Sequence, residues 1–184
     1  MTRTIHVSAL ALAAALVLLL AGCNGDPTTA NDTTDPDTDV DETADPLTEG
    51  LQAHVEERYD DAVAAYERVL EDDPGNHLAL YNLGLVEQTR GNIAEAEDYY
   101  RQALESEPDY VPALFNLAII RSAEGGDEEA AELYSQIIEL DPDHAGAHLN
   151  LGFALLAQGD EEGAREAFDR AVELNPEYQD RIPD

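Results

Sequence analysis

The chain has 184 residues, with 41 Asp and Glu against 9 Lys and Arg and a formal net charge of −32. That charge makes nucleic acid and anionic lipid headgroups poor partners. No lysine occurs, which excludes a P-loop lysine and a Schiff-base lysine, and the single cysteine excludes an internal disulfide.

The N-terminus carries Arg3 and then an apolar run, Val7–Ala21, broken only by Ser8. About 15 residues is short for a membrane span, which needs about 20, and suits the core of a signal peptide. The run ends in LAGC, Leu20–Cys23. This resembles the lipobox of bacterial lipoproteins, which implies cleavage before Cys23 and a lipid on its thiol. Residues 1–22 are then a signal peptide, and Cys23 anchors the exported chain on the extracytoplasmic side of a membrane.

Residues 23–44 hold the lipidated cysteine and a linker of Asp, Thr and Pro with almost nothing to bury, which predicts a disordered tether. Its maximum reach is about 70 Å. Asp35, Asp37, Asp39 and Asp41 alternate as in a calcium loop. However, Val40 stands where that loop needs glycine, and Pro46 where it needs a bidentate glutamate.

From there one phrase repeats: ALYNLG at 79–84, ALFNLA at 113–118 and AHLNLG at 147–152, each 34 residues after the last. Other residues keep the same register. Ala62, Ala96, Ala130 and Ala164 recur, then Tyr66, Tyr100, Tyr134 and Phe168, then Pro74, Pro108, Pro142 and Pro176. Fixed self-similarity at such a period marks a repeat architecture. Apolar residues at helical spacing, a turn at Gly91–Asn92 and a proline stop predict two short amphipathic helices per unit. The small pair Gly84 and Ala96 is expected where those helices cross most closely, and the aromatic is expected to fill the gap toward the next unit. The first unit departs from the phrase, and Asp45 reads as an N-cap before Pro46 at the first helical position.

The period and the Leu-Gly, Ala, aromatic and Pro positions resemble the tetratricopeptide repeat. The resemblance implies an all-α, right-handed superhelical solenoid of antiparallel helix pairs. Its four units span about 43–76, 77–110, 111–144 and 145–178, within residues 45–178, followed by a tail at 179–184. It also implies that first helices line a groove, formed here by Tyr81, Asn82, Leu85, Phe115, Asn116, Ile119, Leu149, Asn150 and Phe153. Gln88, Thr89, Ser122, Ala123, Leu156 and Ala157 extend that face. Many acids, among them Glu95, Glu97, Glu105, Glu128, Glu129, Glu132, Glu161 and Glu162, fall on second helices, so the outer face is read as solvated and anionic.

The asparagine ladder has two readings: bonds to neighbouring backbone, or a clamp on the main chain of a bound peptide. Chaperone-binding relatives surround it with lysines and arginines that grip a carboxylate, and those cations are missing here. The apolar wall suits an amphipathic helix or an extended apolar strip. His144 and His148 lie one helical turn apart, as metal ligands can. His148, however, takes the place of Leu80 and Leu114 and is expected to pack between helices. Ser106, Ser122 and Ser135 have no histidine or acid at motif spacing, so no enzyme and no cofactor are expected.

The layout is similar to that of pilus-assembly lipoproteins (pilotins) and of adaptors of cell-wall hydrolases. It suggests a scaffold for envelope proteins. Two alternatives stand beside it. One is self-assembly through the last helix, with Ala164, Ala167, Phe168, Ala171 and Val172, because Glu177–Asp184 reads as too short to cover that edge. The other is a small or lipid ligand in the groove.

The composition also resembles that of proteins adapted to high salt; the competing reading is an acidic exported protein of a mesophile. At 1 M salt the screening length is about 3 Å, which relieves self-repulsion. We expect the melting temperature to rise steeply from tens of millimolar to molar salt, as followed by circular dichroism. A flat profile would remove the high-salt reading.

Overall fold

The structure, a computed structural model, describes residues 45–183. The signal peptide, the lipobox at Cys23 and the acidic linker lie outside the described residues. Eight α-helices follow one another among those described: α1 (Pro46–Val55), α2 (Tyr59–Asp72), α3 (His77–Arg90), α4 (Ile93–Ser106), α5 (Val111–Ala123), α6 (Asp127–Leu140), α7 (Ala145–Gln158) and α8 (Glu161–Leu174). A 3-10 helix, Pro176–Arg181, closes the series. Each helix packs chiefly on its sequence neighbours, as a solenoid of antiparallel pairs requires.

Local chemistry sets the boundaries. Asp45 accepts a hydrogen bond from the Thr48 N–H at 3.3 Å and Pro46 opens α1, as read from the sequence. Asn76 caps α3 through the Ala79 N–H at 3.1 Å, and Asp160 caps α8 through the Gly163 N–H at 3.0 Å. First helices α3 and α7 end on left-handed glycines, Gly91 (φ 83°) and Gly159 (φ 84°). Second helices end two residues before a proline. Asp73, Glu107, Asp141 and Asn175 take nearly the same extended conformation there, because a proline ring disfavours helix in the residue before it.

The conserved-register aromatic is buried in every unit: Tyr66 0%, Tyr100 0%, Tyr134 1% and Phe168 5% exposed. In three units its ring rests on a glycine of the same unit. A Cβ on Gly50, Gly84 or Gly152 would lie within 2.6 Å of ring atoms of Tyr66, Tyr100 or Phe168. The close approach at the glycine is thus made by the aromatic ring of the second helix, with Ala96 buried in the same cluster. The other side of the ring meets the next unit as expected: Tyr66 clusters with Ala79, Leu83 and Val86, and Tyr100 with Leu117 and Ile120.

Two expectations are corrected. The segment after Pro176 does cover the last unit in part, because Tyr178 and Ile182 pack against Leu149, Ala164, Phe168 and Ala171. Asn175 accepts from the Glu177 N–H at 3.1 Å and starts the turn that brings them there. His148 is not sandwiched between helices as Leu80 and Leu114 are. An imidazole has to satisfy its N–H, and the half-buried ring bonds the Pro142 carbonyl at 3.0 Å through Nε2.

Ion pairs bind neighbouring units. Arg101 holds Glu97 (2.8 Å) and Glu129 (2.7 Å), while Arg121 holds Glu129 (2.8 Å) and Glu124 (2.6 Å), which links α4, α5 and α6. Arg90 bridges Asp60 of α2 and Glu87 of its own helix. Glu87 is 8% exposed and also accepts from Asn92 Nδ2 at 2.6 Å, so this buried carboxylate is fully occupied.

One hydroxyl is left over. Tyr100 donates to Gln88 Oε1 at 2.6 Å, but the Tyr66 hydroxyl is buried without a partner. A buried unmade hydrogen bond costs about 1–3 kcal/mol. Tyr66→Phe should therefore raise stability, as the fourth unit's Phe168 already illustrates, whereas Tyr100→Phe should lower it by about 1 kcal/mol. Urea denaturation of the two variants checks this, and equal signs for both would refute it.

Candidate functional site

The groove residues form one face because they recur three or four apart on successive first helices. The face comprises Thr48, Leu51 and Val55 on α1; Leu78, Asn82, Leu85 and Thr89 on α3; Pro112, Asn116, Ile119 and Ala123 on α5; and Gly146, Asn150, Phe153 and Ala157 on α7. None of these residues is charged, in a chain whose charged fraction is 27%. At its centre runs an apolar ladder in strict register: Leu51, Leu85, Ile119 and Phe153. Its two ends are the most open, Leu51 being 42% and Phe153 36% exposed.

Leu85, Ile119 and Phe153 are groove residues predicted from the sequence, and the structure brings them into this one row. Leu51 and Val55, which is 61% exposed, were missed. The altered phrase of the first unit hid them, although subtracting the period from Leu85 and Thr89 lands on both.

Tyr81 and Phe115 are half-buried rather than open. Tyr81 stacks edge-on against Tyr110 at 5.2 Å between centroids, and Phe115 lies against His144 at 5.2 Å. Leu149 does not line the groove. It is 1% exposed within the core of the last unit, because a leucine at this place lacks the ring that keeps Tyr81 and Phe115 at the surface.

The asparagines are engaged inside the solenoid. Asn82, 9% exposed, donates to the Leu78 carbonyl at 2.7 Å, and Asn116 donates to the Tyr81 hydroxyl at 3.4 Å. Thr89 likewise donates to the Leu85 carbonyl at 2.9 Å, and Thr48 to Asp45 at 3.3 Å. The ladder thus braces one unit against the next and its own helix.

The two histidines are similarly committed. His144 Nδ1 accepts from the Ala147 N–H at 3.0 Å and caps α7, and His148 holds Pro142. Among the described residues, no group of three or more His, Cys, Asp and Glu side chains is placed to hold a metal ion, and no helix is long and apolar enough to cross a membrane.

The tetratricopeptide repeat family matches the chain over residues 48–111, 86–125 and 115–178. Among solved structures, the crystal structure of MamA is similar at TM-score 0.63 and 23% identity, over 69% of this chain and 74% of that one. Pseudomonas aeruginosa pilF is similar at TM-score 0.62 and 26% identity, over 71% of this chain and 60% of that one. A tetratricopeptide repeat protein from Parabacteroides merdae reaches TM-score 0.65 at 22% identity, over 71% and 52%. No curated protein matches the chain.

The buried tyrosines of the second helices give a pH signature. Burial pushes Tyr66 and Tyr134 up to about 12, with Ser122 and Asn150 opposing the shift at Tyr134, and drives Tyr100 up as well. Unfolded tyrosines ionise near pH 10. Because the folded values are raised, the stabilisation is complete below about pH 10 and is lost as pH rises toward 12. We expect alkaline unfolding between those limits, with phenolate absorbance appearing together with loss of helicity. Phenolate absorbance complete near pH 10 with the helices intact would contradict it.

Proposed function

The chain belongs to the tetratricopeptide repeat family, whose solenoids are scaffolds for protein–protein interaction, and we propose that this one is a non-enzymatic scaffold anchored by lipid at Cys23 on the extracytoplasmic side of a membrane. Its groove takes an apolar segment of an envelope partner, in the manner of pilotins or of cell-wall hydrolase adaptors. The observation that carries this reading is the uncharged face with the ladder Leu51–Leu85–Ile119–Phe153, set in a chain of net charge −32. A solvated acidic protein that keeps one face free of charge and partly exposes large apolar side chains there has the features of an interaction surface.

Two experiments test the two halves of the proposal. Cys23→Ala should abolish lipid labelling and move the chain out of the membrane fraction; equal labelling of both forms would remove the anchor. Leu51→Gln with Phe153→Gln should weaken capture of envelope partners by about tenfold or more, since apolar anchors at an interface typically cost over 1 kcal/mol when lost. The outer pair Glu105→Gln with Glu162→Gln, on exposed second-helix positions, should change little. Loss of capture in the outer pair alone would place the partner on the acidic face instead.

A further inference from the structure

The polar groups of the uncharged face decide what form its occupant takes. An extended peptide lying on Leu51, Leu85, Ile119 and Phe153 would bring its backbone N–H and C=O groups against apolar surface. Each would need a partner there, because a buried unpaired backbone group costs as much as a lost hydrogen bond. The face offers few. Asn82, Thr89 and Thr48 donate to their own helices or caps, and Asn116 donates to the Tyr81 hydroxyl. A helix brings its backbone bonds already made and asks the face only for apolar contact.

The borders of the face supply the second requirement. The turns that lead into α3, α5 and α7 carry Asp73, Glu107 and Asp109, and Asp141 and Asp143, with Asp72 closing α2; all are exposed, and of these Asp143 holds Arg170. These turns stand at the N-terminal ends of the first helices, so the uncharged floor has an acidic rim along one edge. An apolar floor beside an acidic rim is complementary to a helix with an apolar stripe flanked by cations.

We propose that the groove binds an amphipathic, cationic α-helix of a partner protein rather than an extended apolar peptide. This rests on the groove reading above and specifies the partner within it.

The test uses the full chain and three labelled synthetic peptides, followed by fluorescence anisotropy at physiological salt. One is a leucine–lysine peptide with leucines at every third and fourth position. The second is its isomer with strict leucine–lysine alternation, which forms a strand rather than an amphipathic helix. The third replaces lysine by glutamate in the helical pattern. The helical lysine peptide should bind at least about tenfold more tightly than either of the others, and Leu51→Gln with Phe153→Gln should weaken it about tenfold or more. Circular dichroism of the variant should show the helices intact.

If the alternating isomer binds as well and the double variant still weakens it, the occupant is extended and the inference is overturned while the groove reading stands. If the helical peptide binds the double variant as tightly as the native chain, the groove reading itself falls. Absence of binding by the helical lysine peptide also overturns the inference.

Discussion

The structure depends on one contact, an aromatic ring of each second helix seated on a residue without a side chain in the first. Tyr66 on Gly50, Tyr100 on Gly84 and Phe168 on Gly152 leave no room for a Cβ. The seat brings the two helices of a pair together and at the same time presents the far side of the ring to the following unit. Pairing and stacking are therefore the same event at these positions. A helix pair alone would leave that ring in water, which is why the repeats need one another. The third unit shows the margin: Ala118 replaces the glycine and Tyr134 stays 1% exposed, so a methyl is accommodated there by adjustment of the pair.

The hydroxyl on that ring demands a partner once buried, and for Tyr100 it comes from Gln88 of the same unit. Where Phe168 removes the hydroxyl, the equivalent of Gln88 is Leu156, and the demand disappears with it. Polar and apolar choices thus travel together along the period. The Tyr66 site breaks the rule, with neither His54 nor Asn82 reaching its hydroxyl.

The period made most of the fold legible. A strict 34-residue register fixes pairs, turns and order at once, and Asp45 with Pro46 marked even the divergent first helix. The groove was legible only in part, because register says which helix face a residue lies on but not how deeply it sinks. Leu149 shares a register with Tyr81 and Phe115, and only its lack of a ring takes it into the core. His148 shares a register with two buried leucines and is turned outward by the need to bond its N–H. Leu51 and Val55 were not legible for a different reason: the phrase around them is altered, and only the 34-residue interval from Leu85 and Thr89 marks them.

Charge follows the same periodic logic and sets the temper of the assembly. At the interface of the first two units Arg90 meets Asp60, while burial and then the nearby Glu67, Glu87 and Glu95 raise the pKa of Tyr99 and keep it neutral. Between the second and third units Arg101 and Arg121 tie three helices together through Glu97, Glu124 and Glu129. If a second copy continued the solenoid in register, the partner of Glu162, by the offset that pairs Asp60 with Arg90, would be Glu56. By the offset that pairs Arg101 with Glu129, Asp169 would meet Asp61. Both are like-charge pairs, exposed and therefore screened by salt. Such a stack would set these like charges against each other at low salt, while the groove face carries none, so the contrast favours partners that bring positive charge and an apolar stripe.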